Sequence, residues 1–558
     1  MNAESERDAY FVDAIAFSRM AYSHWQREPA SPSFGCFDRQ YWGWKKKDMA
    51  DAALQAAVTL VVRFAEHEGA TATLPELLNG YVGFLERIQH ADGSFDQIYP
   101  HEKAPSVVYD VLSSLLSVWR SQHLDAKARS RLEAVMRRGV DYALSADERH
   151  GEIANHFAHY AWELFNYGRE FDNFEALLAG ERYLERTLRL FHPEEGWFTE
   201  YDGADAGYQT RCLTFLSKIA ELTQDRYLWD VLHKAASFID GLLMPDGSIH
   251  PMLGVRSTAL MYVSGFERVA GKFPKLAALA DRVHEGWRSG ASLKATSLDF
   301  ENGLRVADDA FDASALRCER ISMDAATSAP AAQKSDEIRS VDLNSAGLHK
   351  RTIQHDASRR ILFVGSRLGG AVVLYEAGPG MRPQLIFEDA GYMLESSNGV
   401  KWVMRYPDSG KPEVVSEREI SVTATFIQSL HEDMSPVQLV VLRLLNLTVL
   451  RSQWIGDLFR KLVVRRLISG RRAFSLTCNR RILINQTSLV VRDRFYVAPE
   501  LASKVKGLRL FRCRRITANH MASSRYFQPQ EILCAQPWIE AMQINDLDGS
   551  EVEKVIIF

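Results

Sequence analysis

The chain reads as an α+β multidomain protein: an N-terminal (α/α) toroid of helical hairpins over residues 1–290, a linker or surface crossing over 291–340, and a C-terminal antiparallel β-sandwich over 341–558. Three observations predict this. The hydrophobic period is helical from Asp48 to about Gly290, lapses in a stretch rich in Asp, Ala, Ser and Lys, and changes to two after Val341. A chain of 558 residues is also too long for one compact core.

The helical half places apolar residues at i, i+3, i+4, i+7 over residues 51–65, 75–89, 106–121, 126–144, 155–167, 174–190, 208–221, 226–243 and 255–270. Short joins between such segments indicate antiparallel hairpins. A weak repeat points to a closed ring of them. Phe84-Leu85-Glu86 leads into Asp92-Gly93-Ser94-Phe95, Leu184-Glu185-Arg186 into Glu195-Gly196-Trp197-Phe198, and Phe238-Ile239-Asp240 into Asp246-Gly247-Ser248-Ile249. Each time a glycine closes an amphipathic helix, and the residues after it turn toward a shared mouth.

Residues 325–335, Ala-Ala-Thr-Ser-Ala-Pro-Ala-Ala-Gln-Lys-Ser, carry the linker signal. Beyond them, short segments of period two lie at 360–364, 371–375, 400–403, 421–426, 462–467, 482–484, 489–492 and 508–511. Gly, Asn and Asp punctuate them, as in an antiparallel sandwich.

Composition excludes several classes. The chain is 46% hydrophobic and 25% charged with net charge −4, so nothing global suggests nucleic acid. The polar, acidic start has no basic region followed by an apolar one, and does not read as a secretory signal. The nearest approach to a membrane span, Val437 to Leu450, is interrupted by Arg443 and Asn446. Six scattered cysteines show neither metal-ligand spacing nor a disulfide framework, which suits reduced thiols in a cytoplasmic protein; no metal or cofactor is expected. From Arg451 to Arg515 there are 17 Lys/Arg against three acids. That run reads as a solvated strand face, as a wall attracting a polyanionic glycan, or as a peripheral contact with an anionic membrane.

The candidate site lies between Glu152 and Arg211. On a helix, Asn155 and His159 share one face and His156 and Tyr160 the next, so one helix end presents an amide, two imidazoles and a phenol. The loop that follows gathers Trp197, Glu200, Tyr201, Asp202, Asp205 and Tyr208, with Arg211 one turn further on. Aromatic rings stack on sugars while carboxylates bond their hydroxyls, so such a loop suits a glycan. Phe34, Phe37, Tyr41, Trp42 and Trp44 either line the same cleft or close one end of the helical domain. His250 and Arg256 face that mouth or belong to a surface turn.

The order of these motifs resembles the heparinase II/III-like polysaccharide lyases and the alginate lyases of the same build. There an Asn-His pair begins an inner helix of the toroid, and a catalytic Tyr follows a Gly-aromatic turn. Asn155-His156, the turn from Glu195 to Glu200, and Tyr208 fall in that order and spacing. The resemblance implies that Asn155 and His156 hold a uronate carboxylate. Tyr208 would transfer the proton, with Arg211 as its charged partner. It also implies a His from the sheet domain, but this chain reads Gly365-Ser366-Arg367-Leu368-Gly369-Gly370 at that place, leaving Arg367 or Tyr375 as substitutes. That departure keeps other readings open: a glycoside hydrolase using Glu200, Asp202 and Asp205, a uronate C5-epimerase, or a glycan-binding protein without catalysis.

Overall fold

The computed structural model describes residues 8–38, 51–97, 101–146, 152–201, 203–324, 340–355, 358–378, 382–429, 436–452, 454–456, 458–459, 472–498, 508–516, 532–534 and 549–557. Tyr41, Trp42, Trp44, Asp202, the segment 462–467 and the whole 325–335 stretch lie outside the described residues.

The helices are α1 (Ala9–His24), α2 (Val58–His67), α3 (Leu74–Ile88), α4 (Pro105–Arg120), α5 (Ala126–Ser145), α6 (Ala154–Glu170), α7 (Phe174–Arg189), α8 (Ala206–Thr223), α9 (Arg226–Leu242), α10 (Ser264–Lys272), α11 (Ala277–Ser289) and α12 (Phe300–Asp324). Their packing closes a ring. α2 touches α4, α4 touches α6, α6 touches α8, α8 touches α10, α10 touches α12, and α12 returns to α2. The odd-numbered helices form the outer layer: α1, α5, α7, α9 and α11 each touch an inner helix, and α3 packs on α5.

The repeat seen in the sequence has one structural basis. Gly93, Gly196 and Gly247 have φ of 89°, 84° and 80°, a region costly for residues with a Cβ. A Cβ at these positions would lie 2.0, 2.4 and 2.1 Å from the carbonyl oxygens of Arg138, Lys234 and Arg282, on α5, α9 and α11. Each turn therefore packs its glycine against the backbone of the next outer helix. In the first and third, the Asp side chain also accepts the amide and hydroxyl of the Ser two residues on.

The helical part runs further than the sequence suggested. α12 occupies Phe300–Asp324, inside the stretch assigned to the linker, and its buried Asp309 ties the ring shut. Asp309 accepts from the Ser264 amide at 3.0 Å and hydroxyl at 2.5 Å, at the start of α10, and from Thr214 of α8 at 3.1 Å. α12 escaped notice because its many Asp, Glu and Arg face a polar interior. Residues 255–263 are loop rather than helix, because they supply backbone N–H groups to Asp205, Thr210 and Asp309.

The strands form two antiparallel sheets. After a short hairpin in the helical part, β1 (Phe191–His192) with β2 (Trp197–Phe198), five strands run in order: β3 (Ser340–Leu343), β4 (Leu348–His355), β5 (Ser358–Gly365), β6 (Ala371–Ala377) and β7 (Gln384–Asp389). The second sheet holds β8 (Gly391–Glu395), β9 (Lys401–Val403), β10 (Gly410–Val415), β11 (Glu419–Ser429), β12 (Ala473–Ile484), β13 (Ser488–Val497), β14 (Arg509–Ile516), β15 (Ile532–Cys534) and β16 (Glu551–Ile557), ordered β15-β14-β8-β9-β11-β12-β13-β16 with β10 on β11. Leu362, Val364, Val372 and Leu374 of the first sheet meet Ile420, Val422, Ile482 and Val491 of the second in one apolar layer. Phe363 and Val373, on the opposite face, join the core of the helical ring. The ring and the sandwich thus share buried surface.

Candidate functional site

α6 begins without a side-chain cap of its own, since its N-cap is Ile153. A carboxylate from the loop before α8 fills the gap: Glu200 accepts the Asn155 amide N–H at 2.8 Å and its side-chain Nδ2 at 2.7 Å. Glu200 is fully buried, and burial pushes its carboxyl up to about 7 against the pull of those two Asn155 donors. The Cys212 thiol donates to the same carboxylate at 3.7 Å. α8 has its own cap. Asp205 accepts the Tyr208 N–H at 3.2 Å through one oxygen, and the N–H groups of Arg256 at 2.8 Å and Thr258 at 3.5 Å through the other.

Arg211 joins the two helices. Its guanidinium donates to Asn155 Oδ1 at 3.4 Å and to His159 Nδ1 at 3.2 Å. A guanidinium has no acceptor, so His159 takes the bond on an unprotonated Nδ1 and carries its proton on Nε2. That nitrogen faces Glu163 Oε1 at 3.4 Å. Burial first, then the charge of Arg211, holds the imidazole well below its usual range, so His159 is neutral. Burial also raises Glu163 to about 8, although Ser113 Oγ lies 2.5 and 2.6 Å from its two oxygens. Asp110, paired with Arg305 at 3.1 Å, lies 3.9 Å from both Arg211 and His159.

His156 and Tyr208, at the first turns of α6 and α8, are half-buried. Tyr208 precedes Arg211 and Cys212 by three and four residues, so it lies on the face of α8 that meets α6. The arrangement can bind an anion at the positive guanidinium and move a proton at the phenol or the imidazole.

Other residues singled out from the sequence lie elsewhere. Tyr160 is buried, stacked on Tyr109 at 4.1 Å and edge-on to Tyr183 at 5.4 Å, so its ring is core. Trp197 is buried in the seam with the sandwich: its Nε1 donates to Ser345 Oγ at 3.0 Å and its ring stacks on His192. Arg367 sits in the same seam, donating to the Ser345 carbonyl and pairing with Asp408 at 2.7 Å. His250 is buried there too, accepting the Met252 N–H on Nδ1 with Nε2 at 3.6 Å from Glu388. Tyr201 is half-buried at φ 60°, with the Arg256 guanidinium 4.3 Å above its ring. His349, the second residue of β4, is buried between Asp342 at 2.8 Å and Ser366 at 2.9 Å. The described part of the basic segment is largely neutralised: Arg480 is buried against Asp493 and Asp389, and Arg481, Arg492, Arg509, Arg512 and Arg515 pair with Glu419, Glu553, Glu395, Asp389 and Glu388. Those residues form a cross-strand ion-pair ladder, not a free basic wall.

Sequence reasoning missed four groups. Asp110, Glu163 and Arg305 lie on three different inner helices, α4, α6 and α12, and only ring closure brings them together. The fourth, Arg405 of the sheet domain, is fully buried and donates to the Met252 and Gly254 carbonyls at 3.0 and 2.7 Å, beside the loop that holds Asp205. A lone Arg after a strand gives no signal of such a reach.

No protein-family model matches the chain, and no curated protein does. Solved structures do. The chondroitin AC lyase of Streptomyces coelicolor A3, in complex with chondroitin sulphate, matches with a TM-score of 0.52 at 12% identity over 92% of this chain and 68% of that one. Heparinase III matches at 0.49 and 11% identity, over 87% and 70%. A mutant of the heparan sulfate lyase HepC from Pedobacter heparinus matches at 0.45 and 12%, over 90% and 71%. The chain has a polysaccharide-lyase-like fold.

Proposed function

We propose that this protein cleaves a uronate-containing anionic glycan by β-elimination. The observation that carries the reading is Arg211, which bridges Asn155 and His159 of α6 and lies one turn from the half-buried Tyr208 on α8. Elimination needs positive charge to stabilise the carboxylate as the neighbouring C–H gives up its proton, and an acid-base group on the same side. In this reading His156 and the Arg211 guanidinium hold the uronate, and Asn155, buried with its amide bonded to Glu200 and Arg211, positions Arg211. Tyr208 removes the C5 proton and returns one to the departing O4, while the C4–O4 bond breaks and a C4–C5 double bond forms. The fold match supports a glycan as the substrate class.

Hydrolysis by paired carboxylates is less well supported. Asp205 has both oxygens engaged as a cap, and Glu200 is sealed behind Asn155. Tyr208→Phe removes one oxygen and preserves the ring. Ultraviolet absorbance of the unsaturated uronate should fall about 100-fold or more in this variant, the size of a lost general acid-base group. Wild-type absorbance in Tyr208→Phe would remove Tyr208 from the mechanism.

A further inference from the structure

Arg256 lies in the loop before α10, and the candidate site itself fixes its backbone. Asp205 accepts the Tyr208 N–H at 3.2 Å through one oxygen and the Arg256 N–H at 2.8 Å through the other, so this backbone sits at the first turn of α8. The Arg256 guanidinium stacks on Tyr201, 4.3 Å from the ring centre. Tyr201 follows Glu200, the carboxylate that accepts the Asn155 N–H at the start of α6. One arginine therefore links the starts of the two helices that carry His156 and Tyr208. Arg256 is 3% exposed, yet its Nε and Nη2 have no hydrogen-bond partner among the described residues. Those two nitrogens form one edge of the guanidinium, the fork that grips a carboxylate side-on. Other arginines of this chain use that edge in full. Arg480 sets Nε and Nη2 on the two oxygens of Asp493, and Arg288 sets them on those of Glu285, with all four bonds at 2.7 Å.

A buried donor without a partner costs free energy, and packing does not account for this one. Stacking on Tyr201 uses the face of the guanidinium and leaves the edge unpaired. Asp205 spends its oxygens on backbone N–H groups. Arg405 adds a second buried guanidinium, donating to the Met252 and Gly254 carbonyls with its Nη1 unpartnered. The charge of one carboxylate, Asp205, acts on both arginines, so the three groups together are net positive. We propose that the Arg256 fork binds a second acidic group of the glycan, a sulfate ester or a carboxylate, on a sugar next to the uronate held at Arg211. Either group offers two oxygens side by side to Nε and Nη2. Tyr201 is half-buried over the guanidinium at φ 60°, and its ring tilts as the acidic group enters. A glycan with acidic groups on adjacent sugars engages both arginines, and a neutral one engages neither.

The assignment rests on the glycan reading above, and its first test needs no glycan. The full chain is melted in sodium sulfate, sodium acetate and sodium chloride at equal ionic strength. Sulfate or acetate should raise the melting temperature above its value in chloride, and Arg256→Met should lose most of that excess. Arg256→Lys keeps the charge without the fork, and should lose it too. An excess with sulfate alone marks a sulfate ester, and one with acetate alone a carboxylate. In chloride, Arg256→Met should melt no lower than wild type, because it removes a buried unpaired charge; an arginine of purely structural role would give a loss. Cleavage is scored separately. With chondroitin sulphate, Arg256→Met should raise KM about tenfold or more, and more than it lowers kcat. The full excess kept in both variants, no excess in wild type, or an unchanged KM would each overturn the proposal. No cleavage by wild type counts against elimination instead, and the melting data still decide Arg256.

Discussion

A buried carboxylate at the start of an inner helix is the feature on which the site turns. Glu200 titrates at about 7 in the folded protein and near 4.5 when exposed, because burial disfavours its charged form more than Asn155 favours it. Between those values the folded chain holds a proton that the unfolded chain has released. This contribution to stability is therefore complete below about pH 4.5 and lost as pH rises through about 7, a span of roughly 3 kcal/mol. Glu163 acts in the same direction, with its loss extending to about pH 8. Glu200→Gln should flatten the Glu200 share. Across pH 4.5 to 7.5 the urea midpoint of wild type should fall relative to that of the variant as pH rises; a constant difference would show that Glu200 does not titrate in this window. At this scale the sequence was informative for helix placement, with Asn155 and His156 at one helix start and Tyr208 and Arg211 at another. It was uninformative for Glu200's capping role and for Asp110, Glu163 and Arg305, whose partners lie one or more helices away.

The hairpin elements were legible wherever one face is apolar, as for α3 to α9. α12 and the 255–263 loop were not, since the first carries charge on its inner face and the second owes its shape to distant carboxylates. The acid-Gly turns were legible as a repeat, and the structure supplies the reason, a carbonyl of the next outer helix pressed against each glycine. Gly196→Ala and Gly247→Ala should each cost about 1–3 kcal/mol or more from backbone strain alone. Gly271, on α10 with no heavy atom within 4 Å of a built Cβ, should accept Ala with little change or a gain of up to about 1 kcal/mol. Chemical denaturation of the three variants checks the contrast, and equal stabilities would refute the packing account of the repeat.

Across the whole molecule, the change of hydrophobic period at Val341 marked where helices give way to strands, and the closed helical ring and two-sheet sandwich follow from it. The joint between them was hidden. Trp197, His250 and Arg367 read as ligands for a sugar because they are the residue types that sugars need, yet Trp197 and His250 reach across the seam to Ser345 and Glu388, and Arg367 holds Ser345 and Asp408 within the sandwich. Arg405 reaches through that seam to the Met252 and Gly254 carbonyls, next to the loop whose N–H groups bond Asp205, the cap of α8. What this architecture does to a glycan is read most directly from product mass. The purified chain is incubated with chondroitin sulphate, heparan sulfate and alginate, and the fragments are weighed. β-Elimination predicts fragments whose masses sum to that of the substrate, one of each pair carrying an unsaturated uronate. Fragments that together exceed the substrate by one water for each bond cut would contradict the account and establish hydrolysis.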